Sequence, residues 1–475
     1  MTRPGVGNPM RGVLLVLGLL LLAGCTAPEA CACDEPAPRF DYDALEATIG
    51  RPIGDDGWEP GVPEQVNLER VAAVTGAAGR TPQPTEGYVE SAVLDGYAYL
   101  CRTGPEQGLV IFDVHDVEHP VEVGHIALDA GFEPDIEVSA DGNWAFWETQ
   151  RFPTSAQGPN VMEPGANLPH GIHIVDISDK ANPRWAGFTP IAPDGPHSIT
   201  YANITGRHIV FASAYAFAYA YAQVAPPEQQ RLVILELDAS GPVARLNTLA
   251  EYRDPQATEA DVYPASGELF PHDVSVQVHP ITGRTLAYVA YWDLGVVILD
   301  VTDPAHPVRV GQANDFGPAP YGDIHMARPF PDLVGGRHVT VAEPEISGQP
   351  DSGYLTFFDT TDPAHPTYIS SWKIPGDSPS GATGGPHYLD AAHGKVALAH
   401  YAGGFWVVDV HDEANLLHPR TTAYAKPLAG AGTGLPGPLA GLGGGSAFDA
   451  WWADPTHVVG AETSGGLVVL RYTGP

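Results

Sequence analysis

Four histidines share one sequence context and could together bind a metal ion. Each stands where an alternating, strand-like segment begins, in GPHSIT, FPHDVSV, GDIHMA and GPHYLD. Neutral imidazole is the commonest side-chain ligand for zinc, copper and iron. If the fold brings the four segments to one point, they predict a transition-metal site whose ion is Fe, Cu or Zn. The predicted ligands are His197, His272, His325 and His387.

A second set of residues could orient these imidazoles. A carboxylate that accepts from one ring nitrogen fixes the tautomer and leaves the other nitrogen for the metal. Suitable groups end other strand-like segments, in AFWETQ, VTVAEPE, ALAHY and VGAET. We therefore predict a supporting shell of Glu148, Glu343, His400 and Glu462.

One segment that must position these residues is repeated along the chain. Its copies begin 50 to 64 residues apart, a spacing typical of propeller blades with loops rather than of solenoid repeats. The copies are GLVIFDV (108–114), GIHIVDI (171–177), RLVILEL (231–237), GVVILDV (295–301), YLTFFDT (354–360), GFWVVDV (404–410) and GLVVLRY (466–472).

Each copy belongs to a unit of four strand-like pieces, rich in Val, Ile and Tyr and bounded by Gly, Pro and Asp. Seven such units predict an all-β fold, a seven-bladed β-propeller, in which radial closure leaves few sheet edges. The seventh unit ends after its third strand. We predict that EQVNLERVAAV, residues 64–74, supplies the missing strand beside 466–472 and closes the ring.

The repeated segment resembles the LVIVD repeat family, over about residues 64–475. The resemblance implies a propeller, often on exported proteins, and no settled activity. Glu236 and Arg471 depart from the Asp that ends the other copies, which we assign to turn formation. In outline the predicted site is also similar to two propeller architectures with metal-linked histidines, the carotenoid oxygenases and the selenium-binding protein and methanethiol oxidase family.

Connection lengths predict which face carries function. Links between strands one and two are short, whereas the long ones, including 149–171, 215–230 and 425–446, fall on the face where the histidines begin strand one. Loops on a rigid scaffold commonly carry function. Insertions at 214–222 and 427–445 could cover this mouth, and we expect a small-molecule or protein ligand there. In register, the first, second and seventh units carry acids in place of histidine: Glu90, Asp135 and Asp449.

The N-terminus reads as an export signal. Arg3 and Arg11 precede a 13-residue apolar run, too short to span a bilayer, which ends in LAGC. This sequence resembles a bacterial lipobox, which implies cleavage before Cys25 and lipid attachment to it. We predict a signal peptide (1–24), a lipidated Pro- and acid-rich tether (25–63) and the propeller (64–475), lipid-anchored at the cell envelope. Export permits a disulfide from Cys31 or Cys33 to Cys101.

Composition narrows the functional classes. A formal charge of −34 disfavours nucleic acid as a partner. Zinc-protease, nucleophile-elbow and phosphate-loop motifs are missing from the sequence. Two hypotheses remain. The first is a transition-metal protein that acts as an oxidoreductase, and the second is a non-catalytic binding or scaffold propeller whose loop face holds a protein or glycan. In the second, the histidines bond loops or neighbouring blades.

Overall fold

The structure is a computed structural model. It describes residues 41–49, 53–54, 57–58, 61–78, 86–104, 106–128, 134–150, 170–192, 195–215, 230–258, 269–318, 322–345, 354–375, 385–428 and 445–475. The predicted signal peptide, Cys25, Cys31 and Cys33 lie outside these ranges, as do residues 216–222 and 429–444 of the two predicted insertions. Cys101 is a free, fully buried thiol, and burial raises its pKa.

Seven antiparallel sheets form the predicted seven-bladed propeller. Upstream of the blades lie α1 (Tyr42–Ile49), β1 (Ile53–Gly54), β2 (Gly57–Trp58), β3 (Gln65–Val66) and β4 (Leu68–Val74). Blade one is β5 (Gly87–Leu94), β6 (Tyr97–Thr103), β7 (Gly108–Asp113) and β8 (Val121–Ala127). Blade two is β9 (Ile136–Val138), β10 (Trp144–Thr149), β11 (Gly171–Asp176) and β12 (Arg184–Pro190). Blade three is β13 (Ser198–Ile204), β14 (Arg207–Ala214), β15 (Arg231–Asp238) and β16 (Arg245–Tyr252), followed by a 3-10 turn (Pro255–Thr258).

The remaining blades follow the same order from the axis outwards. Blade four is β17 (Val274–Val278), β18 (Thr285–Tyr291), β19 (Gly295–Asp300) and β20 (Val308–Ala313). Blade five is β21 (Ile324–Pro329), β22 (Val339–Pro344), β23 (Leu355–Asp359) and β24 (Thr367–Trp372). Blade six is β25 (Leu389–Ala392), β26 (Lys395–Ala399), β27 (Phe405–Asp409), α2 (Glu413–Leu417) and β28 (Arg420–Ala425). Blade seven is β29 (Trp451–Asp454), β30 (His457–Glu462), β31 (Gly466–Tyr472) and β4.

The ring closes as the sequence predicts. Strand β4 pairs antiparallel with β31, with Leu467 opposite Val74 and Tyr472 opposite Leu68. The predicted single strand over 64–74 is divided at Asn67, whose φ of 52° bends the chain. The two residues of β3 before this bend pair with β28 and add a fifth strand to blade six.

Packing between blades explains the apolar third strands. Residues 109–112 of β7 are fully buried on both faces, because each blade packs against a neighbour on either side. Burying a large aliphatic side chain stabilises by about 1.5–3 kcal/mol. The glycine that opens this strand, Gly108, has φ +140°, and a Cβ there would lie 2.1 Å from the Ile126 carbonyl oxygen. The Asp that ends the motif accepts the backbone N–H two residues on, as Asp113 does from His115. This confirms its assignment to the turn.

The axial acids of blades two and seven link neighbouring blades. The carboxylate of Asp135 accepts backbone N–H groups from Ile136, at 2.6 Å, and from Ile199 of blade three, at 2.8 Å. Asp449 accepts from Ala461 at 2.5 Å and from Ser91 of blade one. These acids therefore join inner strands and have a structural role.

Buried polar groups also stabilise the short-turn face of the propeller, which carries the short turns between strands one and two and lies opposite the long-loop face. His338 is fully buried, with Nδ1 2.9 Å from the Thr360 hydroxyl and Nε2 2.7 Å from the Gln277 amide nitrogen. The amide N–H must donate to Nε2, so the ring is neutral with its hydrogen on Nδ1. Burial and the neighbouring His279 lower the pKa of His338 to about 4.

Part of the predicted tether is folded against blade six. Helix α1 buries Leu45 and Ile49. Arg420 of β28 donates to Glu46 at 2.7 Å and pairs with Asp43, which fixes the helix to the blade edge. Neither helix in the described ranges is long and apolar enough to cross a bilayer.

Candidate metal centre

The four predicted histidines lie side by side near the propeller axis. Blades three to six each contribute one, at or just before the innermost strand. The backbone N–H of His197, His272 and His387 each donates to the end of strand two of the same blade, at 2.7–3.0 Å. The ring centroids are 4.7 Å apart from His197 to His272, 4.3 Å from His272 to His325 and 4.6 Å from His325 to His387. We call these four residues the histidine row.

Each imidazole of the row directs Nδ1 at an oxygen acceptor. The ring hydrogen therefore belongs on Nδ1, and the lone pair lies on Nε2, the form that ligates a metal. The acceptors are Gln150 Oε1 for His197 (2.9 Å), Asp273 Oδ2 for His272 (3.1 Å), Glu343 Oε1 for His325 (2.8 Å) and the Phe448 carbonyl for His387 (2.8 Å).

Burial keeps these rings neutral at physiological pH. Removal from water lowers the pKa of His272 and of His387 to about 3, and lowers those of His197 and His325 well below 6.5. Proton competition for the ligand nitrogens is correspondingly weak near neutral pH.

Two histidines of the row and one carboxylate form a group that could hold a metal. One ligand atom from each of His272, His325 and Glu345 lies within 4.8 Å of the others. Glu345 follows β22 directly, and its Oε1 accepts the Tyr401 hydroxyl hydrogen at 2.7 Å. Burial raises the pKa of this carboxyl to about 7. His197 and His387 lie one ring further out on either side, so the row does not converge symmetrically on one point.

Sequence reasoning missed Glu345 and Asp273. Glu345 lies two residues beyond the predicted Glu343, and such spacing places two side chains on one side of an extended segment. Asp273 is adjacent to His272 and also approaches His325 Nε2, at 3.7 Å. The motifs EPE and PHD contained these signals, but only the fold shows that both acids face the row.

The predicted supporting residues have different surroundings. Glu343 bonds His325, as described above. Glu148 Oε1 accepts the Asp135 N–H at 3.3 Å, whereas Glu462 pairs with Arg70 of β4 at 2.8 Å and accepts the Leu428 N–H at 2.6 Å. Glu462 thereby ties the closing strand to blade seven. His400 is buried after β26, and burial lowers its pKa to about 4.

Aromatic rings enclose both ends of the row. Trp292 stacks on His272, with centroids 5.0 Å apart and planes at 25°, and Phe270 and Tyr215 continue this stack at 5.0 and 4.2 Å. Around His387, three further rings lie 4.6–4.9 Å away: Tyr388, Tyr401 and Phe448. These rings bury the imidazoles, which strengthens electrostatic interactions around them, whereas Glu345 is half-buried.

Comparison with known proteins supports the repeat assignment. The sequence model of the LVIVD repeat matches residues 168–188 and 286–315, within blades two and four. The chain thus carries LVIVD repeats on a seven-bladed propeller. No curated protein matches it significantly.

Two solved structures share its outline. A putative 6-phosphogluconolactonase from Bacteroides fragilis NCTC 9343 is 10% identical, with a TM-score of 0.49, over 80% of this chain and 89% of that one. The Cps50 (Swd1) β-propeller domain of Myceliophteria thermophila is 8% identical, with a TM-score of 0.47, over 86% of this chain and 99% of that one. With TM-scores below 0.5, neither informs the function of this chain.

Proposed function

We propose that this propeller is a metalloprotein that binds one divalent transition ion through His272, His325 and Glu345. One observation carries the proposal: the two imidazoles, each held through Nδ1 by a carboxylate, lie with Glu345 in a group whose ligand atoms are within 4.8 Å. Carboxylate–histidine pairs of this kind orient the ligands of metal sites and raise their basicity.

The distances suit an ion after a small contraction. Ligand atoms about 2.1 Å from a tetrahedral ion are roughly 3.4 Å apart. The largest separation in the group, 4.8 Å, therefore has to close by about 1.4 Å, which side-chain rotation can supply. Three protein ligands leave coordination positions open, and His197 and His387 lie beside them.

The ligand set favours redox or Lewis-acid chemistry. Two histidines and one carboxylate are typical of non-haem iron oxygenases and also of catalytic zinc. A bound iron or copper ion would supply one-electron chemistry. Of these classes we propose an oxidoreductase, since two histidines and one carboxylate match the ligand set of non-haem iron oxygenases. In the proposed site Glu343 holds the imidazole of His325, and Asp273 holds that of His272. The Tyr401 hydroxyl positions Glu345.

Elemental analysis tests the proposal directly. The lipid-free chain, residues 26–475, would be made in an exported compartment and compared with a His272→Ala/His325→Ala variant. The matched control is His306→Ala/His365→Ala, because these histidines are exposed turn residues, with side chains 81% and 83% accessible. We expect about one equivalent of iron, copper or zinc in the parent and the control, and loss in the first variant.

The opposite result would support the scaffold alternative. If parent and variants fold alike and contain no stoichiometric metal, even after incubation with each ion, the histidine row is structural. The loop-rich face would then be examined as a binding surface for a protein or glycan. In either case we propose that the ligand, a small molecule or a protein, is bound at that face.

We further propose that the protein is exported and anchored to the cell envelope by lipid on Cys25. The LAGC sequence and the preceding apolar run support this proposal. Radiolabelled fatty acid should be incorporated into the full chain in a bacterial host and not into Cys25→Ser. Equal labelling of both, or a soluble parent, would overturn it.

A further inference from the structure

An axial cavity of about 430 Å³ opens on the short-turn face, away from the histidine row. Its walls are the innermost strands of the blades. The lining extends from the turn residues Asn203 and Val278 at the rim to Asp135 and Asp273 at the inner end. Among the described lining residues there is no member of the histidine row, so the inner acids separate this cavity from the candidate metal centre.

The lining carries excess negative charge. Four carboxyl groups contribute to it, those of Glu90, Asp135, Glu137 and Asp273. Arg328 is the single base among the described lining residues. Its guanidinium pairs with Asp390 at 3.1 Å and offsets part of the charge of Glu137, which leaves the lining acidic. Buried carboxylates are costly unless a positive group compensates them. Burial and nearby Asp273 accordingly raise the pKa of Asp135 to about 7.

Other groups in the lining point to a ligand. The hydroxyl of Ser91 is buried beside the Asp449 carboxylate but makes no well-aligned hydrogen bond in the described part of the chain. Its hydrogen-bonding capacity is therefore not fully used within the protein. The lining also includes Tyr201 and Tyr388, and aromatic faces attract cations. The Arg328 guanidinium already lies over the ring of a third aromatic residue, Trp451, at 5.1 Å.

The spacing of the acids selects the kind of cation. In the described ranges no three cavity carboxylates bring their oxygens within 4.8 Å of one another. They are therefore too far apart to surround a bare divalent ion. An organic cation can span them, because its charge is spread over a larger volume and its alkyl groups can contact Ala202, Val276 and Met326 in the same lining.

We propose that the axial cavity is a binding site for an organic ammonium cation, with the cationic group near Asp135 and Glu137 and the apolar part towards the rim. Glu137 is half-buried and lines the cavity. Burial raises the pKa of its carboxyl, and a cation bound beside it would favour the ionised form. The cavity is distinct from the histidine row but adjoins it, because Asp273 at its inner end also bonds His272.

Calorimetric titration of the metal-free protein at constant ionic strength tests this site. The probes are 1,5-diaminopentane, choline and benzylamine, each paired with a neutral isostere: 1,5-pentanediol, 3,3-dimethylbutanol and benzyl alcohol. We expect at least one cation to bind at a single site with a Kd below about 1 mM, a range typical of weak specific ligands, and more tightly than its isostere. Failure of all three cations to exceed their isosteres would overturn the proposal.

Two variants locate the binding. Glu137→Gln preserves the shape of the side chain and should raise the Kd of the cation at least about tenfold, because one opposing charge is lost at close range. Asp332→Asn removes the same charge from an exposed turn on the same face and should change nothing. Equal weakening in both would indicate general surface attraction and refute a built site. Asp135 is left intact because it links blades. Unchanged metal content in Glu137→Gln keeps this result separate from that of the metal centre.

Discussion

The substitution Glu343→Gln provides the sharpest test of how the metal ligands are held. Glu343 Oε1 lies 2.8 Å from His325 Nδ1, and both side chains are buried. Its second oxygen, Oε2, has no hydrogen-bond partner in the ranges described above. The carboxylate is therefore held mainly through His325, and its effect should be concentrated on that one imidazole.

This geometry determines the loss of metal affinity that we expect in Glu343→Gln. Removing a carboxylate that orients a metal-bound histidine lowers affinity by about 10–100-fold, or about 1.4–2.7 kcal/mol. The glutamine oxygen can still accept from Nδ1–H but no longer raises the basicity of Nε2. Burial, with Glu345 and Asp273 nearby, raises the pKa of Glu343 well above its usual range. Because burial already disfavours the charged form, a neutral amide of the same shape should change the thermal stability of the metal-free protein little.

Competition against a chromophoric chelator measures the affinity, and Glu148→Gln is the matched control. Glu148 lies near the end of strand two of blade two, at the equivalent position, and is also buried, but its Oε1 accepts the Asp135 N–H. We expect the Kd to rise at least about tenfold in Glu343→Gln and less than about twofold in Glu148→Gln. Equal effects in the two variants, or none in Glu343→Gln, would refute the assigned role of Glu343.

Three further substitutions test the fold. Asp449→Ala removes the hydrogen-bond acceptor that links blades seven and one. Urea unfolding should show a loss of about 2–4 kcal/mol in unfolding free energy, and a loss below about 0.5 kcal/mol would contradict that link. His338→Gln should reduce the pH dependence of the unfolding free energy in acid. The folded pKa of His338, about 4, is below the unfolded value near 6.5, so the parent loses up to about 3 kcal/mol as the pH falls from 6.5 towards 4. An unchanged slope in the variant would exclude His338 as the cause. Arg70→Met removes the partner of buried Glu462 and should lower the unfolding free energy by about 2 kcal/mol. The loss should be larger at pH 8 than at pH 6, because at pH 6 the Glu462 carboxyl can take up a proton. Equal losses at the two pH values would argue against this pair.

The architecture was predictable because the repeat is local. A third strand buried on both faces must be apolar along its length, and the Asp after it must form a turn, so each blade carries the pattern in its own sequence. The closing strand was predictable because the last copy lacks a fourth strand. The division of that strand at Asn67 was not, because a single left-handed residue gives no periodic signal. The folding of α1 against Arg420 was also missed, because its composition is that of a spacer.

The sequence by itself determined that histidines begin the inner strands of blades three to six and that acids replace them in the others. Only the tertiary structure decided what each residue does there. Side-chain direction near the axis depends on the tilt and twist of every blade, which no local pattern encodes. Thus Asp135 and Asp449 accept backbone N–H groups of neighbouring blades, whereas Glu345, from a position not singled out in the sequence, joins His272 and His325. Ligand sets assembled from separate blades are fixed by packing, and packing is a property of the whole ring.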